Sequence, residues 1–206
     1  GTSEYGTGGD RPGSGQFYRT SDRKAPHNAY ISASGIQTAC ASLGYSLTTR
    51  QEYYNASHFN FVSGVNTLEQ YASATGITRL ANRRLAKDDA PSYFTYDAAS
   101  GQYLKNIHGA AQVDGMNGEQ LTFSNVIIQN TNWSKRDAKG YLAFQTIDST
   151  SDGYYFTKGR GIHITWKKTS DYSPTKYYDD NGNEIQLNEG KTYIAIAQKD
   201  RTLLYS

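Results

Sequence analysis

Downstream of Ala90 short runs of tyrosine and aliphatic residues are cut at regular intervals by turn-forming residues, and no other feature narrows the fold so far. Asn181-Gly182 is the strongest of these breaks, because both positions tolerate the positive φ that a tight hairpin turn requires. Tyr93–Tyr96 and Gln102–Leu104 bracket Asp97–Gly101 as a second hairpin, and Gly153–Thr157 and Ile162–Lys168 flank Lys158-Gly159-Arg160-Gly161 as a third. Tyr141–Ile147 reads as a further strand, and Tyr193–Ala197 and Thr202–Tyr205 close the chain around Lys199-Asp200-Arg201. Val126-Ile127-Ile128 is a continuous apolar run, the mark of a strand covered on both faces. In Ile162–Lys168 the alternation puts Ile162, Ile164 and Trp166 on one face and His163, Thr165 and Lys167 on the other. The spacing predicts about eight strands in one antiparallel domain over residues 88–206.

Composition decides whether such a chain can hold a core. Aliphatic residues are sparse, but eighteen tyrosines compensate, each able to bury ~150–250 Å² of ring while its hydroxyl stays hydrogen-bonded. Neighbouring residues on a strand point to opposite faces, so of the pairs Tyr53-Tyr54, Tyr154-Tyr155 and Tyr177-Tyr178 one ring each is expected in the core. Twenty-one basic against nineteen acidic residues leave a net charge of +2. That lacks the basic excess of a nucleic-acid or membrane-surface binder.

Before Ala90 the pattern changes. Residues 1–15 are Gly-, Ser- and Thr-rich and read as a flexible lead-in. The first three residues contain no Met, and the expectation is a fragment or processed product with a targeting segment upstream. Phe17-Tyr18 and Tyr30-Ile31 anchor short strands around a polar centre. Ser32 offers a helix N-cap, Ile36, Ala39, Cys40 and Leu43 follow at i, i+3, i+4 and i+7, and Gly44 supplies the stop. This pattern places Cys40, the sole cysteine, on a buried stripe as a structural thiol. His58–Phe61 alternates like a short strand, and residues 65–87 fit helix and strand equally well. The fold class expected is therefore α+β: a short α/β part over residues 16–87, then an antiparallel β-rich domain over residues 88–206.

The stretches FYRTSDRKAPHNAY, FTYDAASGQYLK, QVDGMNGEQLTFSNVIIQ, GYYFTKGRGIHITWKK and TKYYDDNGNEIQLNEGKTYIAI together resemble the YerB-like lipoproteins of Gram-positive bacteria, a family of unknown function. Their order and spacing match over most of residues 16–198. The resemblance implies an extracytoplasmic protein tied to the membrane by a lipidated cysteine upstream, with residues 16–87 belonging to the family's N-terminal domain. It implies no catalytic residues and no cofactor. One departure is Gln112-Val113-Asp114, where the resemblance leads one to expect His-Val-Asp.

The densest polar constellation is Arg23-Lys24-Ala25-Pro26-His27-Asn28, where two cations and an imidazole could hold a carboxylate or phosphate. Arg23, Lys24, His27 and Asn28, with Asp114, are the candidate ligand-binding residues; against this, the same residues could simply pair with nearby acids and tie down a loop. His27, His58, His108 and His163 lack metal-ligand spacing, so no metal site is expected. Asp179–Asn183 fails the calcium-loop template, which wants Gly at position six and Glu at twelve. There is no Gly-x-Ser-x-Gly elbow.

Three functions follow. The first is a non-catalytic ligand- or protein-binding module of the cell envelope, with an unknown protein or envelope ligand as partner. The second is a hydrolase or transferase on envelope polymers, with His27 as acid or base oriented by Asp114. The third is an interaction domain completed by an N-terminal half.

Overall fold

The computed structural model describes residues 14–48, 58–79, 92–147, 149–201 and 203–206. The chain divides into two compact units, Gly1–Tyr54 and Asn55–Ser206.

In the first unit strands β1 (Phe17–Arg19) and β2 (Ala29–Ile31) pair antiparallel, with Tyr18 opposite Tyr30 and their rings stacked at 6.1 Å. Helix α1 (Ala33–Leu43) follows. Ser32 caps it by accepting the Gly35 N–H at 3.0 Å, and Gly44 ends it at φ 67°. Both ends lie where the cap residues placed them. The buried stripe does not: Ile36 is 45 % exposed, Cys40 is half-buried, and the one buried helix residue is Gly35, close against Ile31 and the Gln16 carbonyl. A two-stranded hairpin and one helix offer no second layer to cover an apolar stripe.

The second unit is built from β3 (Gly76–Arg79), β4 (Tyr93–Asp97), β5 (Gln102–Ile107), β6 (Ala110–Ala111), β7 (Thr122–Phe123), β8 (Asn125–Thr131), β9 (Trp133–Lys135), β10 (Leu142–Phe144), β11 (Ser149–Thr157), β12 (Arg160–Lys168), β13 (Lys176–Tyr178), β14 (Thr192–Gln198) and β15 (Leu203–Tyr205). One sheet has the order β13-β12-β11-β8-β14 and a second β15-β3-β4-β5-β6, with β7 also on β5; β9 and β10 form a separate hairpin. The β11–β12 turn is tighter than the sequence suggests, two residues with positive φ at Lys158 and Gly159. A side chain at 159 would stand 2.8 Å from the Tyr96 ring, which reserves the position for glycine.

One expectation needs correction: the domain is not wholly antiparallel, since β14 runs parallel to β8. The last two strands also part company, β14 joining the first sheet while β15 pairs with β3 in the second. Crossings of this kind leave no local turn signature, so alternation alone sees strands and not their partners. In the stretch left open between helix and strand, residues 76–79 are strand β3, and residues 80–87 lie outside the described residues, as do 1–13 of the lead-in and Tyr53-Tyr54.

Two apolar clusters sandwich the first sheet. Val126, Ile128 and Phe156 pack with Ile77, Phe94 and Tyr103 of the second sheet. Ile127, Tyr155, Ile162, Ile164, Trp166 and Tyr177 face the other way, beneath Leu68, Ile185 and Leu187. All seven residues of β8 are buried, as the Val126–Ile128 run requires of a doubly covered strand. Tyr155 and Tyr177 enter the core while Tyr154 and Tyr178 stay half-buried, the division that alternation predicts. Trp166, on the expected inward face of β12, has no exposed surface and donates its indole N–H to the Asn130 carbonyl at 2.8 Å.

Candidate functional site

Four buried polar side chains organise the face of the first sheet that carries Tyr155. Asn125 on β8 has no exposure, and its Oδ1 accepts the Tyr155 hydroxyl at 2.8 Å and the Asn188 N–H at 3.2 Å. Its Nδ2 donates to the Asn188 carbonyl at 2.8 Å and to Thr192 Oγ1 at 3.1 Å. Asn188 Nδ2 in turn donates to Thr157 Oγ1 and to the Asn66 carbonyl, both at 2.8 Å, and its Oδ1 accepts the Asn66 N–H at 2.8 Å. Thr157 Oγ1 donates to the Ser124 carbonyl at 2.9 Å. A polar network in the interior is stabilising only when its donors and acceptors are matched, and here they are. Burial pushes the Tyr155 hydroxyl up to about 12, so it stays a neutral donor.

This network pins two chain segments, 60–66 and 186–188, to the central sheet. Leu187 donates its N–H to the Asn60 carbonyl and its carbonyl accepts the Val62 N–H, at 2.8 and 3.0 Å, while Asn66 Nδ2 donates to the Gln186 carbonyl at 3.0 Å. Between them and the hairpin after β13 opens a cleft of about 330 Å³. Its floor is apolar: Leu68, Tyr155, Ile162 and Ile185. Its rim is polar, with Asn66, Gln70, Asp179, Glu184 and Gln186. Its volume lies at the lower end of the range for small-ligand sites.

The rim charges are held. Asp179 takes the N–H groups of Asn181 and Asn183 on one oxygen at 2.9 and 2.8 Å, and the Asn183 amide on the other at 3.2 Å. Those bonds, the Asn183 backbone first, hold its carboxyl below the ordinary range. Lys176 Nζ reaches Glu184 Oε1 at 2.8 Å. Leu68 stands at φ 51°, a left-handed conformation that costs a leucine of order 1–3 kcal/mol. It is kept there by burial in the core and by a turn closing from its carbonyl to the Tyr71 N–H at 2.9 Å. Strain of this kind concentrates at binding sites.

The residues nominated by the sequence lie elsewhere. Asn28 is buried and committed to its loop, accepting Arg19 Nη1 at 2.6 Å and donating to the Thr20 carbonyl at 2.8 Å. It anchors a turn closed by the His27 N–H on the Lys24 carbonyl at 3.1 Å, with a cis peptide between Ala25 and Pro26. Arg23, Lys24 and His27 project from that turn to solvent, Arg23 beside Asp22 at 3.2 Å. Asp114 belongs to the second unit, where its Oδ1 accepts the Met116 N–H at 2.7 Å inside a turn. Of the cleft residues, Tyr155, Ile162, Asp179, Glu184, Ile185 and Gln186 fall in stretches the sequence picked out, but none was nominated as a site residue. Asn66, Gln70 and Gln186 were missed, because an amide on a short segment carries no pattern of its own; the one usable signal was Ile185–Leu187 alternation, which sets Gln186 outward. Among the described residues no group of three or more His, Cys, Asp or Glu side chains could hold a metal ion.

A two-sheet β domain with a buried amide network beneath a polar-rimmed cleft is the class of protein this chain represents. The family described as protein of unknown function (DUF3048), C-terminal domain, matches residues 82–194, more than half the sequence, and the chain belongs to that family. In fold it is similar to the crystal structure of YerB protein from Bacillus subtilis, with a TM-score of 0.70 and 21 % identity over 92 % of this chain. The chain spans 59 % of the length of that protein. No curated protein matches it in sequence.

Proposed function

We propose that this chain is a binding module of an extracytoplasmic cell-envelope lipoprotein, attached through a lipidated cysteine upstream, and that its ligand seats in the cleft over Tyr155 and Ile185. The supporting observation is that both cleft walls are fixed to the central sheet by a matched polar network, so the site is pre-organised before any ligand arrives. The rim offers amide donors and acceptors beside two carboxylates, over a floor suited to small alkyl groups. That chemistry fits a peptide or glycopeptide of the envelope and asks for no bond to be made or broken in the cleft. The exposed Arg23, Lys24 and His27 form a second proposed contact, for an anionic group on a partner.

Titration of isotope-labelled full-length protein with soluble peptidoglycan fragments tests the reading by nuclear magnetic resonance. Amide shifts should gather at Asn66, Gln70, Glu184 and Gln186, and weaken in Gln186→Ala with Gln70→Ala. Shifts confined to other surfaces, or none at millimolar fragment, would remove the cleft as the ligand site.

A further inference from the structure

Lys105 is out of place for its charge. It lies on β5 opposite Phe94 of β4 and is only 4 % exposed. Its Nζ lies 5.5 Å from the centre of the Phe94 ring and 5.1 Å from that of Tyr193. Phe123 completes a set of three rings packed edge to face at 5.1–6.2 Å. Among the described residues no carboxylate contacts Lys105, and its amine hydrogen-bonds Ser92 Oγ at 2.5 Å. Ser92 stands directly before β4 and is half-buried.

A serine becomes a nucleophile when a base sits within hydrogen-bond reach of its hydroxyl. A lysine can be that base if it gives up its proton near neutrality, which requires a site poor in water and without an anion to hold the charge. Among the described residues no anion faces the amine, and burial lowers it from its ordinary value. We propose that Ser92 and Lys105 form a nucleophile–base pair that takes up acyl groups from reactive esters or amides. Ser92 Oγ adds to the carbonyl carbon and the new O–C bond forms. The hydroxyl proton passes to Lys105 Nζ, the bond from carbonyl carbon to the leaving oxygen or nitrogen breaks, and that atom takes the proton from Lys105. Water then cleaves the acyl–serine ester. The pair shares no residue with the cleft, so it stands or falls independently of the binding proposal.

Exposure of the full chain to p-nitrophenyl acetate, with peptide mapping by mass spectrometry, tests it. The acetyl group is expected on Ser92, absent in Ser92→Ala, and formed ~100-fold or more slowly in Lys105→Met and Lys105→Arg, the loss usual for a missing general base. Lys105→Met suits the apolar surroundings and should fold, which its thermal melt will check. The wild-type rate should rise with pH and level off below the ordinary lysine range, a signature that needs no variant. No acetyl on Ser92, an acetyl on Lys105 itself, or lysine variants that react as fast as the wild type would overturn the assignment.

Discussion

The two units of this chain follow the same local rules and differ in what their apolar residues meet. In the first, α1 is correctly capped and β1–β2 correctly paired, yet among residues 15–48 only Asn28 and Gly35 are buried. In the second, β8 is buried along its whole length and each face of its sheet has its own apolar cluster. Caps and turns choose where elements begin and end. Stability comes from layers, and among the described residues only the second unit has them.

The largest test of that contrast is Trp166→Ala. It empties a fully buried site and removes the indole donor to the Asn130 carbonyl, so urea unfolding should show a loss of about 3–5 kcal/mol. Asn125→Ala removes the acceptor shared by the Asn188 N–H and the Tyr155 hydroxyl, leaving the latter only its 3.5 Å contact with the Gln186 carbonyl, for an expected loss of about 2–4 kcal/mol. It should also loosen the cleft walls, seen as faster hydrogen exchange at Asn66 and Asn188. Gly159→Ala forces a side chain into the Tyr96 ring at positive φ, an expected cost of about 1–3 kcal/mol by thermal melting. In the first unit, Ser32→Ala removes the α1 cap, worth about 1 kcal/mol of local helix stability. That loss should appear as exchange within α1, while the main unfolding transition stays put.

How far the fold was legible in the sequence follows the same division. Features carried by neighbours along the chain were readable: Ser32 and Gly44 at the helix ends, Asn181-Gly182 at the turn, and the inward faces of β8 and β12. Features carried by distant partners were not. The parallel seat of β14 beside β8 and the departure of β15 to β3 depend on packing across residues far apart in sequence. The exposed stripe of α1 was misread for the same reason, since periodicity records which residues share a face and not whether a layer covers it. At the site, the amides of Asn66 and Asn188 lie 122 residues apart, and only the fold joins them.

The smallest effect concerns Lys105. Its folded value is lowered by burial from the ordinary 10.5, so the unfolded chain holds that proton to higher pH than the folded one. Stability therefore rises with pH between the lowered value and 10.5, and the penalty is complete below that window. Buried Tyr103, Tyr155 and Tyr177 are raised instead, and their contribution falls away as pH climbs past the ordinary tyrosine value of 10.0. The difference between wild type and Lys105→Met isolates the lysine: denaturant melts should show it shrinking as pH rises toward the ordinary lysine value of 10.5.

Native-state hydrogen exchange on the full chain measures the contrast between the units directly. The amides of β8, β11 and β12 should exchange last, at the free energy of global unfolding, while those of α1 and the β1–β2 hairpin exchange through local opening at much lower free energy. Equal protection in α1 and β8 would contradict the view that the layered second unit alone carries the stability of this chain.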